Sequence, residues 1–216
     1  MKTAVIAGTP VDTKMGVDFL RQKDPGIETL YLPCADSPRE CHLFQIADPV
    51  KRMDKIETLC IRALEKGFDH FFVYCNSLSS SVDFDLLSEK LQIHIVTPMH
   101  AYDSLAGQYD VLGVLAANNQ CTKGIEDRFT HVNPSGYILG IGDLRLTEAV
   151  ENGMPPAEIA DRFALNEICE FFRKNGCEAI VLGCTHFPYF KKEISALTSL
   201  PVLDPADIMY ENLIKS

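Results

Sequence analysis

The sequence predicts an α/β protein built from two pseudo-symmetric lobes, each a roughly four-stranded parallel sheet flanked by helices. Three observations predict it. Short apolar runs alternate with helical patterns along the chain, the sign of a parallel sheet. The two halves align when one is shifted by 109 residues. Two of the apolar runs end, at that same spacing, in a cysteine followed by small polar residues: Cys75-Asn76-Ser77 and Cys184-Thr185-His186.

Taken in order, Ala4–Gly8 is an apolar run of strand length and 15–23 carries the first helical pattern. Glu28–Leu32 reads as the second strand, followed by a long helical pattern over 49–66. Phe71–Tyr74 is a buried strand that stops at Cys75, and 82–90 reads as a helix. Ile93–Thr97 and a helix over 99–107 close the first half. The second half repeats the order: strand Val111–Ala116, helix 122–130, strand Gly136–Ile141, helix 155–175, strand Ala179–Leu182, helix 188–197, strand Pro201–Asp204 and helix 206–214. Runs of four to eight apolar residues between polar or glycine signals read as buried strands.

The repeat is carried by order more than by identity. Gly67–Cys75 falls on Gly176–Cys184, Ile56 on Leu165, and Cys60 on Cys169. Val5-Ile6-Ala7 falls on Val114-Leu115-Ala116, and Thr13-Lys14 on Thr122-Lys123. After a two-residue slip, Val96-Thr97-Pro98 meets Leu203-Asp204-Pro205. Any α/β protein repeats strand–helix units, so single coincidences weigh little. The shared succession implies a duplication, with residues 1–97 plus 205–216 as the first lobe and 98–204 as the second. Packing by pseudo-two-fold symmetry would place Cys75 and Cys184 across one interlobe cleft, the expected active site. The Asp12-Thr13 and Cys121-Thr122 turns would line that cleft.

Composition excludes several classes. The chain has 216 residues, 46% hydrophobic and 23% charged, with no apolar run near the roughly 18 residues that span a bilayer. Its start, Met1-Lys2-Thr3-Ala4-Val5, reads as a first strand and not a signal peptide. A net charge of -10 argues against a nucleic-acid partner, which needs clustered Lys and Arg. No membrane partner is expected, and a homodimer is compatible with the pattern. The eight cysteines include no Cys-x-x-Cys pair, so the common metal and thioredoxin spacings are absent and no metal is expected. Reduced thiols in the cytoplasm are the expected state. Cys60 and Cys169 sit on apolar helix faces and read as small buried hydrophobes.

Two opposed thiols suit the inversion of a carbon that bears an acidic hydrogen. One group removes the proton from one face and a second delivers a proton to the other. A thiol's ordinary pKa near 8.5 is readily moved by its neighbours, and acid–base catalysis favours poised groups. His186, two residues past Cys184, is placed to exchange a proton with it, and Asp12 to do the same for Cys75. Asp12-Thr13 is equally a plain helix N-cap pair, and His186 equally a loop histidine. Asn76, Ser77, Gly183 and Thr185 offer donors and close backbone approach to a carboxylate.

Cys75-Asn76-Ser77 and Leu182-Gly183-Cys184-Thr185-His186-Phe187-Pro188 resemble the paired cysteine motifs of the aspartate/glutamate racemase superfamily, and the second motif resembles the glutamate racemase branch. The likeness extends to the Asp12-Thr13 turn, the approach to Pro98, Thr122, Glu151-Asn152-Gly153 and Asp204. It implies a cofactor-independent amino-acid racemase acting on an acidic amino acid such as glutamate or aspartate. By that resemblance Cys75 handles the D face and Cys184 the L face, assisted by Asp12 and His186 respectively. Thr13, Asn76, Ser77, Thr122 and Thr185 would hold the amino and carboxylate groups, and Glu151 falls on the family's acidic position near the histidine.

The substrate side departs from the branch. The usual Asp-Ser-Gly-x-Gly-Gly turn is Asp12-Thr13-Lys14-Met15-Gly16-Val17 here, the Pro-Tyr-Gly loop is absent near Arg39-Glu40-Cys41-His42, and Asn119 stands where a hydroxyl residue is usual. Lys14, with Arg39 or His42, is therefore expected to read a group other than the glutamate γ-carboxylate, with Asn119 beside it. Relatives acting on hydantoins, arylmalonates or maleate stay open, although decarboxylase-type members need only one of the two cysteines. Two further classes stay open: a small-acid binder without turnover, and a redox protein that joins Cys75 to Cys184.

Overall fold

A computed structural model describes residues 1–215; Ser216, expected as the last residue of the first lobe, lies outside the described residues. The chain forms two compact units, one from Met1–His100 with the segment from Ala206 onward, the other from Ala101–Pro205.

The first unit contains β1 (Lys2–Ala7), α1 (Pro10–Lys23), β2 (Glu28–Pro33), α2 (Pro38–Gln45), α3 (Pro49–Leu64), β3 (His70–Val73), α4 (Asn76–Ser79), α5 (Phe84–Leu91) and β4 (His94–Val96). α6 (Pro98–Ala106) carries the chain into the second unit. That unit contains β5 (Val111–Ala116), α7 (Asn119–Val132), β6 (Tyr137–Gly142), α8 (Leu144–Glu151), α9 (Pro156–Arg162), α10 (Leu165–Lys174), β7 (Ala179–Gly183), a 3-10 turn at Phe187–Phe190, α11 (Lys191–Leu197) and β8 (Val202–Leu203). α12 (Pro205–Leu213) returns to the first unit.

Each unit has one four-stranded sheet, ordered β2-β1-β3-β4 in the first and β6-β5-β7-β8 in the second, and every pairing is parallel. Parallel neighbours need crossover helices, which cover both faces. The inner strands are accordingly apolar beyond their first residues: Ala4, Val5, Ile6, Phe71, Phe72 and Val73 are fully buried, as are Leu112, Val114 and Val181. Each such large side chain contributes roughly 1.5–3 kcal/mol by leaving water. The outer strands β2 and β6 share one half-exposed pattern.

Strand order reverses between β1 and β3, and again between β5 and β7. At such a switch point the following loops diverge, opening a crevice at the carboxyl ends of the strands. Cys75 lies there in the first unit, just past β3, and Cys184 there in the second, just past β7.

Several elements differ from the expectation. α1 begins at Pro10, not 15, because Thr9 caps it: its side chain accepts the Asp12 N–H at 3.2 Å, and Pro10 takes the first helical position. α7 begins in the same way, with Asn118 Oδ1 accepting the Cys121 N–H at 2.8 Å. The expected Asp12-Thr13 and Cys121-Thr122 turns are therefore first turns of helices. The helix expected over 155–175 is two, α9 and α10, divided at Ala164, which has a left-handed φ of 51°. The short helices α2, α4 and α8 were not expected.

Candidate active site

In the first unit, β1 ends against α1 and delivers Asp12. A side chain at Gly16 would strike Tyr74 and Val5 within 2.9 Å, so this glycine lets α1 close on the sheet. Asp12 is 1% exposed, and its Oδ2 accepts the Gly8 N–H at 3.2 Å. This matches the reciprocal logic of a capping box, since Thr9 accepts from Asp12 in return. The Thr13 hydroxyl donates to the Thr9 carbonyl at 2.7 Å and is fully buried.

Cys75 caps the single turn of α4, where its carbonyl accepts both the Ser79 N–H and the Ser79 hydroxyl. Asn76 and Ser77 follow it, both buried. A third residue belongs here that sequence reasoning missed. Cys41, on α2, hydrogen-bonds the Cys75 thiol. Gln45 Nε2, one helical turn on, donates to Cys41 Sγ at 3.2 Å. The Cys75 thiol is held well above its ordinary pKa, first by the Cys41 hydrogen bond, then by burial and the Asp12 carboxylate, against the Leu78 N–H that donates to its sulfur.

In the second unit, two side chains approach the Cys184 sulfur. Thr147 Oγ1 of α8 lies 3.6 Å from its sulfur, and His186 Nδ1 lies 3.6 Å away on another side. His186 is buried, and its Nε2 meets Glu151 Oε1, at the end of α8, at 2.9 Å. The result is a line Cys184–His186–Glu151 with Thr147 beside it. Thr185 is buried next to the cysteine. Cys121 Sγ approaches the Gly183 carbonyl at 3.6 Å. Tyr102 is fully buried, and its phenol is pushed well up by burial and by Cys121, Asp204 and Cys184. Thr147 and Tyr102 were also missed.

The residues expected on the substrate side are less enclosed. Lys14 is 71% exposed and pairs with Asp18 one turn along α1. The second unit repeats this pair as Lys123 with Asp127. Asn119 is exposed, and its carbonyl accepts the hydroxyl of half-buried Thr122 at 2.8 Å. Arg39 is exposed and His42 is half-buried, both on α2. Among the described residues no three or more His, Cys, Asp or Glu side chains are grouped to hold a metal ion, and no helix is long and apolar enough to cross a membrane. All eight cysteines are buried thiols outside any disulfide.

A family model described as Asp/Glu/Hydantoin racemase matches residues 24–213. A glutamate racemase from Limosilactobacillus reuteri is 26% identical over 165 residues, a match covering 72% of this chain and 61% of that relative's length. The fold is similar to that of a glutamate racemase from Francisella tularensis, solved with D-glutamate, at a TM-score of 0.78 and 17% identity, covering 99% of this chain and 81% of the other. It is also similar to an allantoin racemase from Pseudomonas fluorescens at a TM-score of 0.67 and 19% identity, covering 100% and 91%.

Proposed function

The chain belongs to the Asp/Glu/Hydantoin racemase family, and from that premise we propose that it is a cofactor-independent amino-acid racemase in which Cys75 and Cys184 act on opposite faces of one α-carbon. The observation that carries this reading is the matched placement of the two thiols. Each follows the third strand of its sheet, at the switch point, and each is buried beside a group able to hold a proton.

The chemistry needs one thiolate and one thiol. On the D substrate, Cys75 as thiolate removes the α-hydrogen and Cys184 as thiol returns a proton to the opposite face. On the L substrate the roles reverse. His186, steadied by Glu151, exchanges a proton with Cys184, while Asp12 orders the loop at Cys75 through Gly8. Asn76, Ser77 and Thr185, with Thr13 and Thr122 on the two helix starts, would hold the amino and carboxylate groups. Glutamate or aspartate is the proposed substrate, with Lys14 and Asn119 reading the side chain together with Arg39 or His42.

A second reading within the family is a hydantoin-type substrate, favoured by the charged turn at Lys14 and the missing Pro-Tyr-Gly loop. The test is α-hydrogen exchange in D₂O, followed by NMR, across D- and L-amino acids and hydantoins. Exchange with inversion, lost in both Cys75→Ser and Cys184→Ser, is the expected result. Thermal stabilisation by a small acid with no exchange would replace the racemase with a binding protein.

A further inference from the structure

The first unit has a thiol where the second has a hydroxyl. α2 and α8 are each eight residues long, and each follows the second strand of its unit. The fourth residue of each reaches the strand-end cysteine: Cys41 meets Cys75, and Thr147 meets Cys184. The eighth residue of each steadies a neighbour of that cysteine: Gln45 holds Cys41, and Glu151 holds His186. The two helices occupy equivalent places with different chemistry. A threonine hydroxyl stays neutral at any working pH, whereas a cysteine can carry the negative charge.

The packing at Gly8 shows how closely the groups converge. From the point where a side chain at Gly8 would begin, Cys41 Sγ is 2.7 Å away, Cys75 Sγ 3.3 Å and Asp12 Oδ2 3.5 Å. The Asp12 carboxylate beside Cys75 disfavours charge on that sulfur. The Gln45 amide, donating to Cys41, favours charge on the other. We infer that Cys41 is the proton-holding partner of Cys75: the pair shares one proton, which rests on Cys75 while the charge rests on Cys41. Cys41 then takes that proton to arm Cys75.

The step balances. Cys75 thiol and Cys41 thiolate become Cys75 thiolate and Cys41 thiol, and the Cys75 thiolate then removes the substrate α-hydrogen. The charge passes to the substrate carbanion and, once Cys184 has delivered its proton, to Cys184. Cys41 thus acts through Cys75 as a positioning residue and does not touch substrate. The groups facing the pair are Asp12 from α1 and Cys34 after β2, and Cys34 in turn feels Lys55 of α3. A shared proton also accounts for the raised Cys75 thiol, since the pair's second ionisation is opposed by its first. The catalytic consequence rests on the racemase reading above; the shared proton does not.

The test compares wild type with Cys41→Ser and Cys41→Ala. Serine keeps the size and the hydrogen bond but cannot hold the charge. Two readouts need no substrate: ultraviolet thiolate absorbance against pH, and the rate at which iodoacetamide alkylates Cys75, located by peptide mass. Both variants should lose one thiolate at neutral pH, and, with the Cys41 charge gone, Cys75 alkylation should rise by roughly tenfold for each pH unit its titration moves down. Urea denaturation of Cys41→Ser checks that the fold is kept. An unchanged Cys75 profile in Cys41→Ser overturns the inference. A lost thiolate in a protein whose wild type exchanges no α-hydrogen upholds the pair and overturns the racemase. Exchange in wild type with unchanged thiolate absorbance does the reverse.

Discussion

Glu151 Oε1 lies 2.9 Å from His186 Nε2, on the far side of the ring whose Nδ1 faces Cys184 Sγ at 3.6 Å. A carboxylate only accepts, so the Nε2 hydrogen points at Glu151 and leaves Nδ1 to accept from the thiol. Glu151 thereby fixes both the orientation of the ring and which nitrogen is basic.

Replacing Glu151 with alanine should lower kcat/KM by roughly 10²-fold, the lower range for a displaced acid–base group. The loss should be equal in both directions, because the equilibrium constant of a racemisation is one. The asymmetry should appear instead in the isotope effect. Substrate deuterated at the α-carbon should show a larger effect as the L form than as the D form, since removal of the L proton becomes slower. Equal isotope effects would detach Glu151 from the Cys184 side.

Gly8→Ala should destabilise the fold by about 1–3 kcal/mol, because its new methyl meets Cys41 Sγ at 2.7 Å. The double variant Gly8→Ala with Cys41→Ala removes the sulfur in the way and should recover much of the loss. Urea denaturation of the two single variants and the double variant gives the coupling energy. Simple additivity would show that the two positions do not compete for the same space.

Thr9→Ala and Asn118→Ala should each cost about 1 kcal/mol, the usual worth of an N-cap side chain. Thr9→Ala should also reduce activity, because the same cap places Asp12, whose carboxylate orders Gly8. Thermal melting and an exchange assay on the same two proteins separate the two effects.

Stability should fall in alkali. Burial pushes the Cys34 and Cys60 thiols up to about 12. The folded protein keeps these protons after the unfolded chain loses its own near pH 8.5, so their contribution is complete below that pH and is lost as pH rises towards 12. Each thiol should add about 1.4 kcal/mol per pH unit to the slope of stability against pH in that window. In reducing buffer, Cys60→Ala should show a shallower decline than wild type, whatever its absolute stability.

The strands were legible because a strand covered on both faces has to be apolar at every position, as Val5-Ile6-Ala7 and Ile180-Val181-Leu182 are. α2 was not, because its inward residues are Cys41 and Gln45, which form no apolar stripe. Its buried face serves Cys75 rather than the core. α8 differs: it buries Leu146, Ala149 and Val150 at helical spacing beside Thr147, but it is only eight residues long, and Glu151 ends it. The signal that finds both is the repeat itself, read with a three-residue slip, which lays Cys41 on Thr147 and Gln45 on Glu151. The break at Ala164 was invisible because alanine rarely adopts a left-handed φ.

The two eight-residue helices also bear on how such a molecule diverges. The sheets and the capped helix starts have kept one plan in both halves, while the residues facing each thiol differ completely. The buried residues of α2 are Cys41 and Gln45, which form no apolar stripe, so they can drift without endangering the fold. A scaffold repeated in this way lets the surroundings of either thiol change alone, one helical turn at a time, with those of the other left as they were.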